Sequence, residues 1–214
     1  MIGDKVSGKV LVSRLLTAVN DFMIDDYELP EGYVDMGLFT TACDGVGYVA
    51  ADDATKMANI EVAKIYSTYG GSGKMNDGQT FGMITGPTVS DVQRGLRYVR
   101  EFVEEQASLY SISEDDSVVL YSECVSKIGR YFAKAYNLPQ GSSIVYLLAP
   151  AIYGVAGIDE MTDYADVELV QYLGSPTHSN LCGGIFTGSQ SQCRSAAESF
   201  KNAIFDYVDD PVEY

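Results

Sequence analysis

The residues that could do chemistry are few and scattered. Adjacent carboxylates occur twice, at Asp52-Asp53 and Asp159-Glu160. Paired acids can share a proton, but a helix start also favours negative charge, and that role explains both pairs without catalysis. Gly70-Gly71-Ser72-Gly73-Lys74 hints at a phosphate loop, yet that loop needs Ser or Thr after the lysine and Met75 stands there. A flexible loop is the better reading. His178 is the only histidine, so no Ser/His/Asp arrangement can be built convincingly. Cysteines 43, 124, 182 and 193 form no CxxC pair, and a metal would need ligands from far-apart segments. Four reduced, mostly buried thiols in a cytosolic protein are expected, with no metal, no cofactor and no enzymatic activity.

What positions these residues is a duplication. Tyr48–Val62, YVAADDATKMANIEV, returns as Ala156–Val170, AGIDEMTDYADVELV. Asp52-Asp53 lines up with Asp159-Glu160, Thr55 with Thr162, and Ala58–Val62 with Ala165–Leu169. Upstream, Tyr27–Gly32 matches Tyr136–Gly141, and Ser13, Leu16, Val19 and Phe22 match Ser122, Val125, Ile128 and Tyr131. Near the end, Thr85-Gly86-Pro87 matches Thr187-Gly188-Ser189. The offset drifts from about 109 to about 102 residues, so the halves differ by small loop changes. The division is placed at residues 1–107 and 108–214, with SISEDDS (111–117) as a polar linker.

Each half predicts the same elements. A short strand (9–12; 118–121) leads into an amphipathic helix carrying Leu15, Leu16, Val19, Phe22 and Met23, or Cys124, Val125, Ile128, Phe132 and Ala135. An L-P-x-G turn follows. Next come a buried strand (34–40; 144–149), the repeated helix with Asp52-Asp53 at its start, and a strand (60–66; 167–173). A loop of Gly and small polar residues leads to another strand (81–85; 184–187). The closing helix carries Val92, Leu96, Val99 and Val103, or Cys193, Ala197, Phe200 and Ile204. Strands alternating with helices, twice over, imply two α/β units, each a sheet covered by helices.

Composition narrows the partners. The 214 residues are 46% hydrophobic and 21% charged, enough for a core and too little charge for a disordered chain. The formal net charge of −16 repels phosphate backbones and anionic lipid, so neither nucleic acid nor a membrane surface is an expected partner. MIGDKVSGKVLVSRLL has early charges and no long apolar run, unlike a signal peptide. The uncharged stretch 140–158 is broken by Pro150, Gly154 and Gly157 and reads as a buried strand plus loop rather than a membrane span.

Two segments carry a family resemblance. Gly37–Gly71, GLFTTACDGVGYVAADDATKMANIEVAKIYSTYGG, and Leu181–Phe200, LCGGIFTGSQSQCRSAAESF, resemble, in order, the two halves of EutL-type tandem-domain shell proteins of bacterial microcompartments. The likeness runs over nearly the whole chain. It implies two fused, circularly permuted BMC domains, each a small sheet flanked by helices in a ferredoxin-like variant. It also implies homotrimers acting as pseudohexamers, which tile with other shell proteins around an enzyme-filled compartment in the cytoplasm. Two units per chain and three chains make six similar wedges.

The resemblance implies sites as well. Loops at the three-fold axis would gate a central channel for a metabolite or cofactor: Tyr69, Gly70, Gly71 and Ser72 in the first half, Pro176, Thr177, His178 and Ser179 in the second. Leu109 and Tyr110 would help plug the closed form. Lys56 would sit at the tiling edge, with Asp163 in the matching place. Family members line small side pores with two adjacent acids and a further Glu. Here Asp44 is followed by Gly45, and Gln79 replaces the Glu, so a more neutral ligand than ethanolamine, or none, is expected. The competing expectation is a soluble tandem α/β small-molecule-binding regulatory protein that does not assemble into sheets.

Overall fold

The computed structural model describes residues 1–69, 78–175 and 177–211. The chain runs β1 (Lys5–Val6), β2 (Val10–Leu16), α1 (Asp21–Asp26), β3 (Asp35–Thr41), α2 (Val46–Met57), β4 (Glu61–Thr68), β5 (Gln79–Gly86) and α3 (Val89–Glu101). After a π-helical turn (Phe102–Gln106) come β6 (Leu109–Ser111), β7 (Val119–Val125), α4 (Arg130–Tyr136), β8 (Ser143–Pro150), α5 (Ala151–Tyr164), β9 (Glu168–Leu173), β10 (Leu181–Gly188) and α6 (Gln190–Asp209). The first sheet has the order β2-β3-β5-β4, and the second contains the matching β7-β8-β10-β9. Pairing is antiparallel throughout.

The duplication extends to backbone details. Glu28 and Asn137 both take the left-handed conformation, at φ 49° and 51°, and Gly32 and Gly141 follow at 80° and 86°. Both turns end a short helix in the same way: Leu29 N–H donates to the Ile24 carbonyl and Leu138 N–H to the Ala133 carbonyl. Gly47 on α2 and Gly154 on α5 hold equivalent places. A Cβ on the first would come within 2.5 Å of Thr80 Cβ, and on the second within 2.2 Å of the Cys182 carbonyl oxygen. Bare backbone is what lets each helix lie on β5 or β10, the strand of its sheet that comes last in the chain. The closing helices both start on hydroxyl caps, Thr88 accepting from Asp91 N–H and Ser189 from Gln192 N–H.

Several expectations are corrected. Leu15, Leu16, Cys124 and Val125 belong to strands β2 and β7, and the helices that follow are short, beginning at Asp21 and Arg130. Alternating burial along β2 shows the reason: a half-buried strand can carry apolar residues at spacings that also fit a helix. The segment 111–117 is only partly a linker. Ser111 closes β6, which joins β1 to β7, so the N-terminal strand adds an edge to the second sheet. After β8 the chain enters α5 directly rather than a loop. Among the described residues no helix is long and apolar enough to cross a membrane.

The uncharged run in β8 is explained by its position. One face of the second sheet (Leu120, Val145, Leu147) packs with Ile158, Met161 and Phe200 of α5 and α6. The other face (Ile144, Tyr146, Leu148) packs with Val46, Val49 and Phe39 of the first half. A strand buried on both faces has no place for charge. The two halves thus share one core across their seam.

Candidate functional site

At the edge of that seam lies a cleft of about 610 Å³ walled by tyrosines 48, 66, 136, 146 and 172, with Asp44, Ser67 and His178 among the other lining residues. The β3–α2 turn positions Asp44. Gly45 takes φ 77° there, packed so closely that a Cβ would lie 2.5 Å from Leu148 Cδ1. The Asp44 carboxylate is buried, and its Oδ1 accepts from Gly45 N–H at 2.7 Å and from the Ser67 hydroxyl at 2.7 Å. Ser67 lies 3.3 Å from the Tyr48 hydroxyl. Burial raises the Tyr48 phenol, a shift reinforced by the Asp44 charge and opposed by the hydrogen bond with Ser67. Burial likewise raises Tyr136 and Tyr146. The walls are therefore phenols around one carboxylate. Such a set can hold a small polar or cationic molecule by hydrogen bonds and ring faces, and none of its described residues is an activated nucleophile.

The anticipated site residues separate into groups. Thr177, His178 and Ser179 come together with Asp44 on the cleft. Ser179 is buried and touches the opposite half, where a Cβ on Gly78 would fall 2.2 Å from Ser179 Cβ. Thr177 braces this turn by donating its hydroxyl to the Leu181 carbonyl at 2.6 Å. Tyr69, just after β4, is exposed. Gln79 opens β5 opposite Thr68 and is not among the residues lining the cleft. Leu109 is buried in β6, paired with Val6 and Tyr121, and Tyr110 lies under the Lys201 ammonium at 4.8 Å. Gly70, Gly71, Ser72 and Pro176, with the Gly70–Lys74 stretch, lie outside the described residues.

The carboxylate pairs are not helix starts. α2 begins at Val46, so Asp52 falls in mid-helix and is fully buried. Its Oδ2 accepts from Gly129 N–H at 2.6 Å and its Oδ1 from Phe132 N–H at 2.9 Å, capping α4 from the other half. Thr55 Oγ1 accepts the intervening Arg130 N–H at 3.0 Å. Arg130 returns the contact, its guanidinium donating to the carbonyls of Ala58 (3.3 Å) and Ile60 (2.8 Å). Lys56 pairs with Asp53 and donates to the Lys127 carbonyl at 2.8 Å. In the second pair Asp159 is exposed, while Glu160 accepts from the Tyr207 hydroxyl at 2.7 Å.

The cysteines form no disulfide: Cys182 and Cys193 are buried, Cys43 and Cys124 half-buried. Burial pushes the Cys193 thiol up to about 11 and raises those of Cys124 and Cys182. Sequence reasoning missed the tyrosine wall. The signal available was the abundance of tyrosine, 16 in a chain without tryptophan.

Comparison with known proteins accounts for the doubled architecture. The BMC domain family matches residues 35–114. The chain is similar to the bacterial microcompartment shell protein EutL of Clostridium perfringens, 32% identical with each chain fully covered. It is 31% identical to EutL of Salmonella typhimurium, over 98% of this chain and 97% of the relative. The crystal structure of the ethanolamine utilization protein EutL from Leptotrichia buccalis matches with a TM-score of 0.92 and 37% identity, each chain again fully covered. Full-length identity, a shared fold and a tandem repeat leave one conclusion, that this chain belongs to the EutL family of bacterial microcompartment shell proteins.

Proposed function

We propose that three copies of this chain form a pseudohexameric disc that tiles the facet of a cytoplasmic microcompartment, beside other shell proteins, around a gated central channel. The division into residues 1–107 and 108–214 gives the disc its six wedges, and no catalytic step is assigned to it. One observation carries the reading. The two halves repeat the same sheet order and pack through a shared core, while the matching outer faces of the chain remain exposed. A unit that meets its twin on one side and offers the same surfaces on the other makes head-to-tail contacts, and these close into a ring when the rotation between units divides a full turn. The match to the BMC domain family starts at β3, after β2 and α1 of the first repeat, and this supports the permuted order.

The channel is assigned to Tyr69, Thr177, His178 and Ser179, with Leu109 and Tyr110 behind them and Gly70, Gly71, Ser72 and Pro176 completing the loops. Support comes from the ends of β4 and β9. These are equivalent in the repeat, and their loops meet where Gly78 packs on Ser179. Passage then requires two loop arrangements of similar free energy. The relatives' name points to ethanolamine utilization. With Gly45 in place of one acid and Gln79 away from the cleft, Asp44 is the one carboxylate among its described lining residues, and the cleft is assigned to a small molecule less strongly cationic than ethanolamine. That cleft also favours the second reading, a small-molecule-binding regulator.

Electron microscopy separates the two. A tiling protein forms sheets or tubes, which Lys56→Asp disperses into trimers that still sediment intact, whereas a regulator stays dispersed in both forms.

A further inference from the structure

The seam within the chain predicts the atoms of the seam between chains. Inside the chain, Asp52 and Thr55 of α2 accept the backbone N–H groups of Gly129, Arg130 and Phe132. The repeat carries Asp52 and Thr55 onto Asp159 and Thr162 of α5, and residues 129, 130 and 132 onto Asn20, Asp21 and Met23. All the donors and acceptors on this second list lack the partner their twins have. Asp159 and Thr162 are exposed, and α1 has no buried residue. Met23 N–H turns back onto the Asn20 carbonyl at 2.9 Å, whereas its twin Phe132 gives its N–H to Asp52.

The apolar surface follows the same rule. Tyr131 lies beside Val62 in the internal seam. Their counterparts are Phe22, 69% exposed, and Leu169, 59% exposed. Tyr146 and Leu148 are buried under the first half, while the residues at their register, Leu38 and Thr40, are only half-buried. Two separate exposed patches are thus explained by one docking event between copies.

We propose that Asp159 and Thr162 of one copy accept the N–H groups of Asn20, Asp21 and Met23 of the next, with Phe22 seated against Leu169. The proposal rests on the trimeric reading above and adds its contact residues. It also adds an asymmetry. The internal seam is clipped by two cations on carbonyls, Arg130 on Ala58 and Ile60 and Lys56 on Lys127. The repeat puts Asp21 and Asp163 in those places. The seam between copies therefore has carboxylates where the internal one has cations, on a chain of net charge −16. Repulsion there is screened by salt, so association tightens as ionic strength rises, the opposite of an ion-paired interface.

The test is a dilution series of the full chain followed by sedimentation velocity at low and high sodium chloride. Wild type forms trimers that tighten with salt. Asp159→Ala and Phe22→Asp each weaken association by about tenfold or more with an unchanged circular dichroism spectrum. Asp21→Arg tightens it and reduces the salt effect. If wild type is a trimer and all three variants match it within about twofold, this seam is wrong and the trimer stands. A wild type that stays monomeric at every concentration overturns both.

Discussion

Asp52 and Phe132 stand 80 positions apart, and the carboxylate of the first accepts the backbone N–H of the second at 2.9 Å. The bond joins one half of the chain to the other and caps a helix that has no side-chain cap of its own. Asp52→Ala leaves the Gly129 and Phe132 amides unsatisfied in a buried seam. The expected cost is about 2–4 kcal/mol of unfolding free energy, measured by chemical denaturation.

The same carboxylate gives a pH dependence. Burial raises the Asp52 carboxyl above its ordinary value of 3.8, against the pull of the Phe132 and Gly129 amides. The folded state therefore holds this proton more tightly than the unfolded chain. Its stabilising contribution is complete below pH 3.8 and is lost as pH rises through the raised value. Half-buried Glu123 shifts in the same direction, so the measurement is a difference. Denaturation profiles of wild type minus Asp52→Asn should show a stability advantage that declines with rising pH over this window.

Gly154→Ala places a methyl carbon 2.2 Å from the Cys182 carbonyl oxygen, backbone that cannot move aside cheaply. The expected loss is about 1–3 kcal/mol. Gly47→Ala meets the Thr80 side chain instead, at 2.5 Å, and costs less because a side chain yields more readily. Thermal denaturation of the two variants should preserve that order.

Thiol labelling tests the core. Cys182 and Cys193 are buried and their thiols raised, Cys193 to about 11. At neutral pH both should resist a disulfide reagent in the native protein and react once denaturant is added. Rapid native labelling of either would mean that the α5–α6 layer opens readily.

The cleft makes a chemical prediction. Asp44→Asn removes the charge among the phenols while keeping an oxygen for Gly45 N–H and Ser67. Binding of a small, weakly basic amine, followed by calorimetry, should weaken several-fold, and binding of an uncharged diol should change little. Equal losses for both would assign Asp44 a purely structural role.

Much of this fold was legible because it occurs twice. Weak signals, such as the L-P-x-G turn after α1 and α4, became readable when each half vouched for the other. The buried strands and the stripes on α3 and α6 came from plain periodicity. The first helix of each half was overextended, because Leu15-Leu16 and Cys124-Val125 suit a strand and a helix equally in a short window. Asp52 was misplaced for a deeper reason. Its partners, Gly129 and Phe132, lie in the other half, and no local pattern marks a carboxylate that caps a distant helix. The tyrosine wall of the cleft is assembled from five elements, α2, β4, α4, β8 and β9, and its residues are nowhere adjacent in sequence.

The central claim is that the chain is a doubled wedge, three of which complete a ring. Native mass measurement at working concentration tests it most directly. The account predicts the mass of three chains, and a single-chain mass across the whole concentration range would contradict it.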